Sequence, residues 1–169
     1  DMLEERKLAF GYLEQETGKS CPNIDTYNRL NPEHAFSRIM VVCDELAEVT
    51  DTTGMDKPNK ELVNAIVGKL GTLARLGRAF GIHLIMATQR PSADVINGQT
   101  PDASALPGQI KNNADVRACG RADNVLSTII MDNGDAADLP KDIPGRFITN
   151  LDGGTIFQGY MLPDLDGGD

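Results

Sequence analysis

Residues 39–45 read Ile-Met-Val-Val-Cys-Asp-Glu, and residues 82–91 read Ile-His-Leu-Ile-Met-Ala-Thr-Gln-Arg-Pro. Each begins as a short apolar run and then turns polar, which is typical of a strand buried on both faces of a parallel sheet. Between them, residues 60–80 repeat apolar side chains at helical spacing, and Gly81 stands where a helix C-terminal cap belongs. A strand, a helix and a second strand in this order predict an α/β fold.

The rest of the chain extends this pattern in both directions. Residues 2–16 predict an amphipathic helix, followed by a polar loop through Pro32, and a second loop is expected over residues 50–59. Beyond the second strand we expect turn-rich sequence over 91–109, a third strand over 116–119, a helix over 122–131, and a C-terminal β-hairpin formed by 146–149 and 155–160.

The composition is that of a globular protein. Of 169 residues, 40% are hydrophobic and 24% are charged, with a net charge of −9, and these fractions exclude global disorder. The longest apolar run, Ile39–Cys43, is far shorter than the ~18 residues of a membrane span. Three cysteines without a CxxC spacing indicate free thiols in a reducing cytosol, and they favour neither zinc nor disulfides.

The charge is unevenly distributed along the chain. Residues 57–90 contain six basic side chains and one acid, whereas residues 91–169 contain five basic side chains and twelve aspartates. A net acidic protein normally argues against nucleic-acid binding, but the basic middle section leaves that function open. A solvated helix face followed by an acidic tail explains the same charges without any partner.

Polar side chains follow directly after both predicted strands. Ligands of open α/β sheets bind at the carboxyl ends of strands, where Asp44 could hold Mg²⁺ through water and Glu45 could polarise an attacking water. Thr88 and Gln89 would lie beside them, and the Gln89 amide could touch a terminal phosphate. The alternative for Asp44 and Glu45 is a purely structural role at the start of a loop.

These stretches resemble a known family. Residues 39–45, 73–84 and 87–91 are similar to the motor domain of the FtsK/SpoIIIE DNA translocases, and most of the remaining chain resembles that domain as well. The resemblance implies a RecA-like P-loop NTPase core, with a mostly parallel sheet flanked by helices. It also implies a hexameric ring that hydrolyses ATP, with Mg²⁺, to move double-stranded DNA, and that uses no small-molecule substrate besides ATP.

The resemblance also implies a role for each site residue. Asp44 would be the Walker B group for Mg²⁺, Glu45 the water-activating base, Gln89 the γ-phosphate sensor and Thr88 a residue that binds the nucleotide or its Mg²⁺. A ring motor needs an arginine that reaches a neighbouring subunit's nucleotide. The candidates for that catalytic role are Arg75 and Arg78, three residues apart on one helix face, and Arg121.

Four basic residues are candidates for DNA contact. In RecA-like rings, the loops after the two strands face the central channel, where basic side chains can bind the DNA backbone without reading sequence. Isolated lysines on loops are more often simply solvated. The candidate residues are Lys57, Lys60, Arg90 and Lys111.

Gly18-Lys19-Ser20 resembles the end of a phosphate-binding loop, but Leu13 occupies the place of the required first glycine and no strand precedes it. We therefore expect the phosphate loop upstream of Asp1, so that residues 1–169 are the C-terminal part of one FtsK/SpoIIIE-type ATPase domain that is inactive alone. In the RecA-like sheet that the resemblance implies, the missing phosphate-loop strand lies between the second strand and the strand at 116–119. Its absence would leave two sheet edges open, which predicts a rearranged or dimerised sheet.

Within the family, Thr128 stands where the cell-division translocases usually have an arginine. Residues 119–127 and 144–148 look more like the coupling ATPases of Gram-positive conjugative elements, which favours DNA transfer over chromosome segregation. The resemblance implies a cytoplasmic domain of a bacterial protein that reaches the membrane only through other regions. Two alternatives stay open: the motor of a protein-secretion system, and a non-catalytic assembly or docking module.

Overall fold

The centre of the structure is a strand, helix, strand unit. The computed structural model describes residues 1–89 and 109–160. Strands β1 (Ile39–Cys43) and β2 (Ile82–Met86) pair in parallel, and helix α4 (Lys57–Leu76) makes the crossover between them. The predicted order of strand, helix and strand is therefore confirmed.

Helix α4 begins three residues before its predicted start. The Asp56 side chain accepts a hydrogen bond from the Asn59 backbone N–H and caps the first turn, where Pro58 fixes a helical φ angle. A 3₁₀ turn over Gly77–Phe80 follows the helix and ends at Gly81, whose φ of 72° is left-handed. Across the described part of the chain, no helix combines the length and apolarity of a membrane span.

The N-terminal region contains more helix than the sequence predicts. Helix α1 (Met2–Thr17) is confirmed, but the loop expected through Pro32 is wrong, because it contains α2 (Ile24–Leu30) and a 3₁₀ turn (Pro32–His34). The Asn23 side chain accepts a hydrogen bond from the Thr26 backbone N–H and caps α2. A seven-residue helix is marginal alone, so it depends on this cap and on its buried side chains. A further short helix, α3 (Leu46–Thr50), was not predicted.

An aromatic cluster packs α1 and α2 against the chain segments that enter both parallel strands. The buried Arg6 guanidinium lies 4.9 Å from the centre of one ring and donates hydrogen bonds to the carbonyls of Phe80, at 2.6 Å, and Ser37, at 2.7 Å. One residue of α1 thus ties the entry of β1 to the entry of β2. The rings of the cluster are Phe10, Tyr27, Phe36 and Phe80, with the closest centroids 4.8–5.0 Å apart.

The C-terminal part of the chain forms a second, antiparallel sheet. Its elements are α5 (Gln109–Asn112), β3 (Ala118–Gly120), α6 (Asn124–Met131), β4 (Arg146–Thr149) and β5 (Ile156–Gln158). The predicted helix before the hairpin and the hairpin itself are confirmed as α6, β4 and β5. The predicted third strand is also present, but it pairs with β4 in the order β3-β4-β5 and is not part of the β1–β2 sheet. The turn-rich stretch predicted over 91–109 lies, except for residue 109, outside the described residues.

One face of the parallel strand pair is open. The side chains of Met40, Val42 and Ile85 are 63%, 63% and 48% exposed, so the expectation of strands buried on both faces is wrong for this chain. Among the described strands, β2 pairs only with β1, and β3 only with β4. Because β3 is paired with β4 and not with the β1–β2 sheet, the described strands do not form the single sheet that the resemblance implies. Dimerisation through the open edges stays a prediction.

Candidate functional site

The carboxyl ends of β1 and β2 meet at one edge of the parallel pair. The Ala87 N–H donates to the Cys43 carbonyl, and the Leu46 N–H donates to the Ala87 carbonyl, both at 2.8 Å. The backbone pairing thus continues past the last strand residues. It brings Glu45, which follows β1, to Thr88 and Gln89, which follow β2, as the sequence predicted.

The Glu45 carboxylate is held at both of its oxygens. Oε1 accepts a hydrogen bond from the Ala47 N–H at 3.0 Å and another from the Thr88 hydroxyl, and Oε2 accepts one from the Gln89 N–H at 2.8 Å. The contact with Ala47 caps α3. The structural role considered from the sequence is therefore present, and it coexists with a carboxylate placed at the ligand-binding edge.

Asp44 directly precedes Glu45 in the sequence and has an exposed side chain. Mg²⁺ in nucleotide sites keeps several water ligands and needs only one or two carboxylates besides the phosphates, so a single exposed aspartate at a strand end suits it. Within residues 1–89 and 109–160, no three His, Cys, Asp or Glu side chains converge as a metal site. The fit to Mg²⁺ thus depends on Asp44 with water and phosphate oxygens.

The end of β2 contributes one half-buried and one exposed side chain. Thr88 is half-buried, and its hydroxyl contacts Glu45. Gln89 exposes its side chain while its backbone N–H is bound to the same carboxylate. The predicted contact of Thr88 with the nucleotide and the predicted sensing by the Gln89 amide stay predictions, whereas their proximity to Glu45 is observed.

Cys43 is the last residue of β1, directly before Asp44 and Glu45, and is half-buried. Burial raises the pKa of its thiol, a hydrogen bond with the Glu45 backbone lowers it in part, and the negative charges of Glu45 and Asp44 raise it further. The thiol is therefore protonated at neutral pH.

The candidate arginines have different environments. Arg75 is exposed in the last turn of α4, but Arg78 lies in the following 3₁₀ turn, so the two do not share one α-helical face as predicted. Arg78 is paired with Asp115 while keeping 80% of its side chain exposed. Arg121 donates its guanidinium N–H groups to the carbonyls of Ala137 and Leu139, which is a structural role.

The predicted DNA-binding residues do not form one cluster in the described structure. Lys57 and Lys60 line an open cleft of about 420 Å³ that also includes Glu61, and Lys57 lies 3.9 Å from the Glu61 carboxylate. Lys111 is only 16% exposed and donates to Asp132 at 2.6 Å. Arg90 lies outside the described residues. DNA contact by all four stays a prediction.

A charged cluster that the sequence did not reveal surrounds Asp132. This residue ends α6 with a left-handed φ of 63°, and its carboxylate accepts hydrogen bonds from Lys111 and Arg117, both at 2.6 Å. The Lys111 hydrogen bond first, and then that of Arg117, holds the pKa of the Asp132 carboxyl below its ordinary value. Lys111 lies in α5, Arg117 just before β3 and Asp132 just after α6, so no local sequence pattern could have predicted their contact.

Comparison with known proteins places the chain in a family, although no family model matches it. It is 35% identical over 120 residues, 69% of its own length, to the DNA translocase FtsK of Helicobacter pylori. Over 92% of its length it matches the solved structure of the pCW3 conjugation coupling protein TcpA, in its monomer form with ATPγS, at 40% identity and a TM-score of 0.76. The chain belongs to the FtsK/SpoIIIE family.

The FtsK/SpoIIIE match confirms the predicted P-loop ATPase motor fold. The chain spans 12% of the Helicobacter pylori translocase and 41% of the coupling protein. The cytoplasmic domain of the type VII secretion ATPase EccC of Thermomonospora curvata shares the fold over 92% of the chain, with a TM-score of 0.58 at 20% identity, and the chain spans 16% of it. This last likeness concerns the fold alone.

Proposed function

We propose that this chain supplies the hydrolytic edge of an ATP-driven motor that moves double-stranded DNA, with DNA transfer in conjugation as its setting. The observation that carries the proposal is the pair Asp44 and Glu45 at the carboxyl end of β1, with the Glu45 carboxylate hydrogen-bonded to the end of β2. Support comes from the relatives, which are named DNA translocase and conjugation coupling protein, the latter solved with ATPγS.

Each residue of the site would do a separate task in hydrolysis. Asp44 would hold Mg²⁺ through water, and Mg²⁺ neutralises phosphate charge when it is bound with ATP. Glu45 would orient the attacking water and polarise it. The exposed Gln89 amide would contact the terminal phosphate from the neighbouring strand end. Because β1 and β2 are paired up to this edge, the two groups that act on the water and the phosphate share one rigid support.

Assembly and location follow from the same proposal. A ring of subunits, hexameric by resemblance, would let Arg75 or the exposed Arg78 reach the nucleotide of a neighbour. The cleft lined by Lys57 and Lys60 would face the DNA backbone. The domain would lie in the cytoplasm of a bacterial cell, with membrane attachment through other regions of the protein.

The DNA dependence of ATP turnover tests this proposal. In the full-length protein, double-stranded DNA should raise the steady-state rate of ATP hydrolysis several-fold, and this stimulation should weaken as salt is added because backbone contacts are electrostatic. The double variant Lys57→Glu/Lys60→Glu should lose most of the stimulation while keeping the DNA-free rate. Glu33→Gln, an exposed charge change elsewhere, serves as the control.

Two results would contradict the proposal in different ways. A rate that DNA does not change, in a protein that hydrolyses ATP, would point to the motor of a protein-secretion system. A full-length protein that neither binds nor hydrolyses ATP would point to an assembly or docking module.

A further inference from the structure

The Glu45 carboxylate receives hydrogen bonds from two different elements. The Ala47 N–H of α3, two residues after Glu45 in the sequence, donates at 3.0 Å. Thr88 and Gln89 donate from the end of β2, which is more than forty residues away in sequence. A carboxylate fixed from two sides has one orientation, and a general base acts only when its orientation is set.

Thr88 donates to Glu45 through its side-chain hydroxyl, whereas Ala47 and Gln89 donate through their backbone N–H groups. The backbone donors are available to any residue at those positions. The orientation of Glu45 therefore depends on the identity of residue 88 in a way that it does not depend on the identities of residues 47 and 89.

We propose that Thr88 is a positioning residue that acts through Glu45, and not a ligand of the nucleotide or of Mg²⁺. This inference rests on the proposed role of Glu45 in hydrolysis. The Thr88 hydroxyl and the Gln89 N–H form a clamp that holds the base against the end of β2. Gln89 takes part both in positioning the base and in contacting the phosphate, because its backbone N–H binds Glu45 while its side-chain amide is the candidate phosphate contact. The clamp thus couples contact with the terminal phosphate to the orientation of the base.

The variant Thr88→Val removes the hydroxyl and keeps the shape of the side chain, and Thr88→Ser keeps the hydroxyl. In the full-length protein with saturating DNA, Thr88→Val should lower kcat about ten- to hundred-fold, the loss typical of removing a hydrogen-bond partner that orients an active-site ligand, with the KM for ATP unchanged. Thr88→Ser should restore most of kcat. The affinity for ATPγS with Mg²⁺ should be the same in all three proteins, and Thr88→Ala provides a second hydroxyl-free variant.

The double variant Glu45→Gln/Thr88→Val separates positioning from direct binding. If Thr88 acts through Glu45, adding Thr88→Val to Glu45→Gln should lower the hydrolysis rate no further. A weaker affinity for ATPγS in Thr88→Val, present also in the Glu45→Gln background, would show a direct ligand and overturn the proposal. So would an unchanged or increased kcat. If Glu45→Gln itself left hydrolysis intact, the proposed function would fail instead.

Discussion

At the scale of single residues, Asp132 has two structural roles, one for its backbone and one for its side chain. Its backbone takes the left-handed conformation that ends α6, and its carboxylate binds Lys111 and Arg117. Because the pKa of this carboxyl is lowered in the folded chain, its contribution to stability is present above the ordinary aspartate value. The contribution is lost as the pH falls through the lowered value.

Asp132→Asn should therefore destabilise the chain in a pH-dependent way. Asparagine tolerates the left-handed conformation, so the cap survives and only the charge is lost. The carboxylate is 62% exposed, and screening by solvent limits the loss to about 0.5–1 kcal/mol near pH 7. Urea denaturation should show this difference at pH 7 and a smaller one well below pH 4. An equal loss at both pH values, or a loss as small as that of the exposed control Asp142→Asn, would contradict the assignment.

Residue identity also explains which site groups could be predicted. Asp44, Glu45, Thr88 and Gln89 were found because polar residues after apolar runs mark strand ends, and parallel strands place those ends together. The sequence did not reveal that the Thr88 hydroxyl binds Glu45, since that contact depends on the register of β1 and β2. The opposite case is Lys111, which looked like a free loop lysine and is paired with Asp132.

At the scale of elements, the link from α4 to β2 depends on Gly81. Its φ of 72° is left-handed, and a Cβ at this position would lie 2.3 Å from the Ile24 Cδ1 atom of α2. Gly18, at the end of α1, has a φ of 65° and nothing within 4 Å of its ideal Cβ position. Both glycines therefore have a left-handed backbone that disfavours other residues, but only at Gly81 would an added Cβ also collide with a neighbouring side chain.

Gly81→Ala should lower the free energy of unfolding by clearly more than Gly18→Ala. The left-handed backbone costs about 1–2 kcal/mol at either site, and displacing Ile24 from the aromatic cluster adds about 1–3 kcal/mol at residue 81. Thermal and urea unfolding of both variants measure the difference directly. Equal losses would show that α2 does not pack on this turn.

A helix or strand could be predicted from the sequence when its own apolar residues form a clear run or repeat. The two parallel strands and the helix between them have long or strongly apolar patterns and were predicted, although the helix covers Lys57–Leu76 and not 60–80. Helices α2 and α3 have seven and five residues, which is too short for a repeat to show. They exist because Asn23 and Glu45 cap them and because the surrounding core covers Ile24 and Leu46, and neither condition is visible in a local window.

At the scale of the whole molecule, Met40, Val42 and Ile85 form an exposed apolar face on the two-stranded parallel pair, and monomeric proteins rarely expose large contiguous apolar patches. The antiparallel sheet was predicted only as a hairpin. Its third strand, β3, was assigned to the wrong sheet because a three-residue strand does not specify its partner.

The isolated chain should therefore associate with itself as its concentration rises. Val42→Lys places a charge on the apolar face and should shift the chain toward monomer, whereas Val125→Lys, at an equally exposed apolar position on α6, should not. Light scattering coupled to size exclusion gives the mass of each protein. A wild-type chain that stays monomeric at high micromolar concentration would contradict this expectation.

The central claim is that Glu45 activates water for ATP hydrolysis, and one measurement tests it most directly. In the full-length protein, the single-turnover rate of ATP hydrolysis should fall at least about hundred-fold in Glu45→Gln, while binding of ATPγS with Mg²⁺ stays at the wild-type level. The amide keeps the size of the side chain, and its single oxygen can still accept the hydrogen bonds that Ala47 and Thr88 donate, whereas its NH₂ group cannot accept the one from the Gln89 N–H. A Glu45→Gln protein that hydrolyses ATP at the wild-type rate would contradict the account.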